Sequence, residues 1–207
     1  MANRSSAWAV LAGLAVAPLG RSEVPPLASI AEIRTLSGSA LEDHPRVKLD
    51  VVATFYHPDW GVLFVHDGGH GICVGIAEDQ RPDVPFRKGQ RLQLEGVADK
   101  GEFLPVLLPD SLRPVEGGQL PDYPQAGADD LLRPALDAEP VAVMATVRST
   151  SFSDQCLVLD LAVGGRDIRA LIPQHQAEES LPWEWVGRMV AVRGIAGTHF
   201  NDQRQMT

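Results

Sequence analysis

The feature that most limits what this chain can fold into is a stretch that occurs twice. Gly89-Gln90-Arg91-Leu92-Gln93-Leu94-Glu95-Gly96-Val97-Ala98 aligns without a gap on Gly187-Arg188-Met189-Val190-Ala191-Val192-Arg193-Gly194-Ile195-Ala196. Each copy enters through a glycine, alternates apolar and polar residues with the period of a half-buried strand, and carries a second glycine suited to a bend at a barrel corner. What precedes it recurs as well. Val141, Val143, Ala145 and Val147 repeat the alternation of Leu49, Val51, Ala53 and Phe55, and Ala53-Thr54 reappears as Ala145-Thr146. Leu157 to Leu161 matches Val62 to His66, Gly164-Gly165 matches Gly68-Gly69, and Ile168 to Ile172 matches Ile72 to Ile76. Such a recurrence is the mark of one supersecondary unit built twice.

Within the first copy the strands follow one another closely. From Arg46, Val47, Leu49, Val51, Ala53 and Phe55 fall on one side, with Lys48, Asp50, Thr54 and Tyr56 on the other. His57-Pro58-Asp59-Trp60-Gly61 and Asp67-Gly68-Gly69 read as turns, because proline presets one dihedral and glycine accepts the conformations other residues avoid. The polar, proline-containing stretch Ala77 to Lys88 leads to a fourth strand, Arg91 to Val97, and Leu104 to Leu108 with Leu112 to Val115 supply a fifth. Five short strands with an excursion between the third and fourth is the layout of an OB barrel, whose closure removes the exposed sheet edge.

The expected fold is therefore all-β: two tandem OB-like five-stranded barrels, the second truncated before a fifth strand, with short helices before and between them. Ser29-Ile30-Ala31-Glu32 has capping-box spacing and starts a helix running to Leu36, and Asp129 to Leu136 forms a linking helix. The expected boundaries are 1–26 for an export segment, 27–116 for the first domain, 117–136 for a linker and 137–207 for the incomplete second domain.

Sixteen prolines and nineteen glycines among short β-branched runs agree with many turns. The net charge of -9 and the scatter of the eighteen Lys and Arg predict no nucleic-acid partner, since a phosphate backbone needs a gathered positive surface. Arg4 followed by the apolar run Ala7 to Leu19, too short to span a bilayer, reads as a signal segment cleaved after Ser22, which places the mature chain outside the cytoplasm. An oxidising compartment permits a disulfide between Cys73 and Cys156; the reading adopted is two small buried hydrophobes.

Candidate sites are few. Tyr56, Trp60, Phe64 and His66 border the strand-two and strand-three face on which OB barrels take ligands, although Phe64 in the core and Trp60 over the barrel end is the plainer arrangement. His57, His66 and His70, with Asp59 and Asp67, have the right chemistry for a divalent metal but no standard spacing. A hairpin would hold His57 a strand's length, roughly 15 Å, from the other two, so no metal and no cofactor is expected. Asp67 is expected to accept hydrogen bonds from the turn it begins. No paired carboxylates, nucleophile elbow or phosphate loop is present, so the chain is read as non-catalytic. Trp183 and Trp185 are expected to plug the second barrel or to touch the first.

Several motifs together resemble the paired extracytoplasmic domains at the N-terminus of bacterial sensor histidine kinases. They are Ser29 to Leu36, Val51-Val52-Ala53-Thr54-Phe55-Tyr56, Leu63-Phe64-Val65-His66-Asp67 with Gly71-Ile72, Leu94-Glu95-Gly96-Val97, and Val192 to Thr198 leading into Asn201 and Arg204 to Thr207. The sequence departs from that pattern with His66 in place of glutamine and His70 in place of a small residue. The resemblance implies a periplasmic sensory or scaffolding fragment whose further strand, membrane segment and kinase core follow downstream. The implied partner is a small ligand or a protein, with dimerisation of the full-length protein. The alternative is a free-standing secreted OB-fold protein that binds carbohydrate, peptide or another small ligand.

Overall fold

The computed structural model describes residues 24–101, 104–153, 155–173 and 181–197. The export segment and its cleavage position, and the markers from Thr198 onward, lie outside the described residues. The protein is all-β, as expected, with two curled sheets and few short helices. Two helices open the described chain, α1 (Ile30–Arg34) and α2 (Gly38–Glu42), the second unforeseen. Ser29 caps α1 as its spacing predicts: its hydroxyl accepts from the Glu32 amide and donates to the Glu32 carboxylate. The strands β1 (Arg46–His57), β2 (Val62–His66), β3 (Gly71–Gly75), β4 (Arg91–Asp99) and β5 (Val106–Val115) follow. They close into a barrel of order β1-β2-β3-β5-β4, with β5 parallel to β3 and antiparallel to β4.

The second unit begins with α3 (Ala128–Leu131) and a 3-10 turn over Pro134–Leu136 where one helix was expected. Its strands are β6 (Pro140–Ser153), β7 (Cys156–Val163), β8 (Arg166–Pro173) and β9 (Met189–Ile195), in the order β8-β7-β6-β9. Ala126, Ala128, Leu131 and Leu136 pack into this unit's core beside Val141, Val143, Ala145 and Val147.

The repeat holds in three dimensions. Gly89 and Gly187 both lie at positive φ, 86° and 79°, and donate their amides to Ala53 and Val147 at 2.8 Å in each case. Val47 faces Gly96 and Val141 faces Gly194. The first-strand alignment drawn from sequence is corrected by this register: Val141 corresponds to Val47, not Leu49, and Val147 to Ala53, not Phe55. A period-two pattern maps onto itself when slid by two residues, so alternation alone could not fix the match.

A second correction concerns the face of the first strand. A bulge between Ala53 and Phe55 makes Thr54 the unpaired residue, and its hydroxyl donates to the Phe64 carbonyl. The extra residue reverses the alternation beyond it. Phe55, expected inside, turns outward beside Phe64, while Tyr56, expected outside, is buried against Phe86. The second unit bulges at the equivalent place, between Val147 and Ser149.

The barrel core is filled by Val47, Leu49, Val51, Leu63, Val65, Ile72, Val74, Leu92, Leu94 and Leu107, with α1 adding Ile30 and Ile33. Burying each such side chain contributes about 1.5–3 kcal/mol before entropy is counted. The two corner glycines differ. A Cβ on Gly96 would stand 2.3 Å from the Leu108 carbonyl oxygen of β5, whereas a Cβ on Gly194 would meet nothing within 4 Å among the described residues. Gly96→Ala should therefore cost about 1–3 kcal/mol by overpacking. Gly194→Ala should stay within about 1 kcal/mol of the parent. Urea denaturation of both variants checks this, and equal losses would contradict it.

Candidate functional site

The two units meet at a carboxylate. Glu139, at the entry to β6, accepts from Arg34 Nη1 of α1 at 2.9 Å, from the Gly71 amide of β3 at 3.0 Å and from His70 Nδ1 at 3.3 Å, all on Oε1. Its Oε2 faces His66 Nε2 at 3.3 Å. Because His66 Nδ1 accepts from the Gly68 amide at 2.9 Å, the proton of the neutral ring sits on Nε2 and points at Glu139. Arg34 also donates to the carbonyls of Gly71, Asp137 and Ala135 at 2.9, 3.1 and 3.0 Å, so one guanidinium ties α1, β3 and the approach to β6 together. The side chains of Arg34 and Glu139 are 11% and 12% exposed. The backbones touch too: a Cβ on Gly71 would fall 2.0 Å from the Ala138 oxygen, so only glycine fits there.

Electrostatics keep Glu139 ionised. Burial by itself raises the Glu139 pKa, but His66, the Gly71 amide, Arg34 and His70 outweigh it and hold the carboxyl below its ordinary range. Asp67 behaves alike: burial is outweighed by the amides of His70, Ile30 and Gly69 and by the nearby His66. Asp67 accepts from Gly69 and His70 at 2.9 Å, as its turn position predicts, and also from Ile30 at 2.8 Å, which fastens the start of α1 to the β2–β3 turn.

An open cleft of about 720 Å³ lies over this node, between the β1, β2 and β4 side of the barrel and the segment 119–140. His66, His70, Asp67 and Glu139 line it, as do Gln119, Leu120 and Asp122. Asp50 and Arg91, joined by two hydrogen bonds, also border it.

The residues singled out from sequence do not converge. Tyr56 points into the barrel, Phe64 lies on its outer face against Phe55, and Trp60 stacks on His57 at the far turn with centroids 4.0 Å apart. His66 alone of the four reaches the cleft. Of the three histidines weighed as metal ligands, only His70 is exposed. His57 and His66 are 2% and 7% exposed, the first beneath Trp60 and the second beneath Glu139. Among the described residues no three His, Cys, Asp or Glu side chains are grouped to hold a metal ion. Trp183 and Trp185 are exposed rather than plugging a barrel. Cys73 and Cys156 are not joined by a disulfide. Burial, with Asp137 adding to it, pushes the Cys73 thiol up to about 11 and keeps it protonated. Arg34 and Glu139 escaped the sequence reading. The one available signal was the pair of unusual histidines, His66 and His70, which need a partner.

The sign of the pH effect follows from the depressed Glu139 pKa. Its contribution to stability is complete above the ordinary glutamate value, near about 4.3, and is lost as pH falls through the lower folded-state value. Removing one member of so buried a pair costs about 3–5 kcal/mol. Glu139→Gln should therefore lower stability at neutral pH and flatten the acid limb of a stability-against-pH curve. An unchanged acid limb in the variant would contradict this.

No family model and no curated protein matches the chain. Among solved structures it is similar to a murine DNA-binding protein bound with double-stranded DNA, at 8% identity and a TM-score of 0.32, over 76% of this chain and 99% of the other. The exclusion of a nucleic-acid partner on charge is corrected by that finding, because a whole-chain sum does not describe a local surface. At such a score the likeness carries no argument for DNA binding either.

Proposed function

We propose that the chain is a non-catalytic, extracytoplasmic ligand-sensing module of the sensor histidine kinase type, in which the cleft over Glu139 takes a small ligand. The observation that carries this reading is the double duty of three side chains. His66, His70 and Glu139 line the cleft and are also the groups through which the units are joined. A ligand that hydrogen-bonds any of them competes with the inter-unit contacts and so shifts how the second unit is held, which is the physical content of a sensor. The apolar N-terminal run and the resemblance of the strand motifs support the extracytoplasmic setting.

The non-catalytic part of the proposal draws on the state of three of the four carboxylates in the cleft. Asp50, Asp67 and Glu139 are each already held by arginine, amide or imidazole donors and are kept below their ordinary range. Groups so committed are poorly suited to moving a proton near neutral pH.

A thermal-shift screen of sugars, amino acids, short peptides and carboxylic acids on the full chain tests the reading. At least one class should raise the midpoint saturably, and Gln119→Trp, which crowds the cleft, should abolish that rise while Trp60→Ala leaves it intact. Stabilisation that survives Gln119→Trp and is lost in Trp60→Ala would move the site to the aromatic turn. No stabilisation by any class would remove the sensing function.

A further inference from the structure

The turn between β1 and β2 is built around an imidazole. His57, the last residue of β1, is 2% exposed, and the Trp60 indole lies flat on its ring, with centroids 4.0 Å apart and planes within 8° of parallel. The Trp60 amide donates to His57 Nδ1 at 3.4 Å. Nδ1 is therefore an acceptor and the proton of the neutral ring sits on Nε2, which is buried with no hydrogen-bond partner among the described residues. Only the neutral ring fits this place. A second proton would sit on Nδ1, facing the Trp60 N–H, and would leave a buried cation with both of its N–H groups unmatched.

Few charges surround the ring. Asp59, within the turn, favours the charged form. Arg81, from the connection between β3 and β4, reaches the same turn, its Nη2 3.5 Å from where a Cβ on Gly61 would stand, and it acts with Asp59 on Tyr56 inside the barrel. The backbone neighbours Val62, Gly75 and Ile76 carry no charge. Asp59 and the electron-rich face of the indole both attract an imidazolium. The loss of water outweighs them, and burial holds the His57 pKa below its ordinary value.

The turn can give way without the barrel following. His57 is held in the ladder opposite Val62, and Gly61 is pinned, its carbonyl accepting from the Ile76 amide at 2.7 Å. Between these two fixed points lie Pro58, Asp59 and Trp60, and the indole is already 42% exposed.

We propose that the His57–Trp60 stack is an acid-operated latch: the neutral imidazole holds the β1–β2 turn shut, and protonation expels the indole and opens the turn. The latch sits at the opposite end of β2 from His66 and the cleft, and it does not rest on the ligand reading. The closed turn carries no penalty above the ordinary histidine value of about 6.5. It loses ground as pH falls from there toward the lower closed-state value, by at most about tenfold in the opening equilibrium per pH unit.

NMR of the histidine rings and of the Trp60 amide and indole in the full chain, followed from neutral to mildly acidic pH, tests the latch. The expected result is the Nε2–H tautomer at neutral pH, a His57 midpoint below about 6.5, and Trp60 signals that move with that same midpoint while the β2 amides stay protected. His57→Gln, whose side-chain oxygen still accepts from the Trp60 amide, should abolish the acid response of Trp60. Asp59→Asn should lower the midpoint further, and Trp60→Ala should raise it toward the ordinary value. Trp60 signals unmoved while His57 titrates, a response that survives in His57→Gln, or a midpoint at or above about 6.5 overturns the proposal. A His57 ring that stays neutral until the whole chain unfolds in acid overturns it equally.

Discussion

The edge of a β-sheet carries a row of backbone amides and carbonyls that must find partners, and this requirement organises the whole molecule. In the first unit β5 meets it on two sides at once, pairing with β3 and β4 and closing the barrel. Closure then dictates the interior, because a sealed curled sheet excludes water from Leu63, Val65, Leu92, Leu94 and Leu107 together. In the second unit the same four-stranded plan leaves β8 and β9 as edges among the described residues. Its core is correspondingly shallow, centred on β6 and β7 and thinning toward Ile168 and Val192.

The junction between the units follows a different logic, that of a buried charge. Taking Arg34 and Glu139 out of water is costly, and the cost is offset because each has several partners: carbonyls and a carboxylate for one, an amide, a guanidinium and imidazoles for the other. Apolar side chains of the same volume could hold two units together equally well. In the proposed reading an ionic node adds sensitivity to a polar molecule held in the cleft that His66 and His70 line. In the proposed reading, the close approach of the Gly71 and Ala138 backbones is what would pass a change at the node to the packing of the two units.

The parts of this architecture legible in the sequence are those that rest on local chemistry. The Ser29 cap, the turn at Asp67, the limits of β2 and the gapless match of β4 with β9 are each written in a few adjacent residues. Two kinds of information were not. The bulge at Thr54 has no sequence signature of its own, so the outward turn of Phe55 and the burial of Tyr56 could not be read from alternation. The site depends on residues far apart in the chain, Arg34, His66, His70 and Glu139, whose meeting is set by how the units pack. A lone glutamate before a proline gives no hint that it is the most heavily engaged carboxylate among the described residues.

The account stands most directly on the difference in closure between two otherwise equivalent sheets. Native-state hydrogen exchange across a series of low urea concentrations measures it, because each amide reports the free energy of the smallest opening that exposes it. The expected result is two tiers: β1 to β5 exchanging only through the largest opening, and β6 to β9 through a separate opening of clearly lower free energy. A single tier, with the amides of β6 and β7 as protected as those of β1 and β4, would contradict the reading that the described part of the second unit leaves β8 and β9 as open edges.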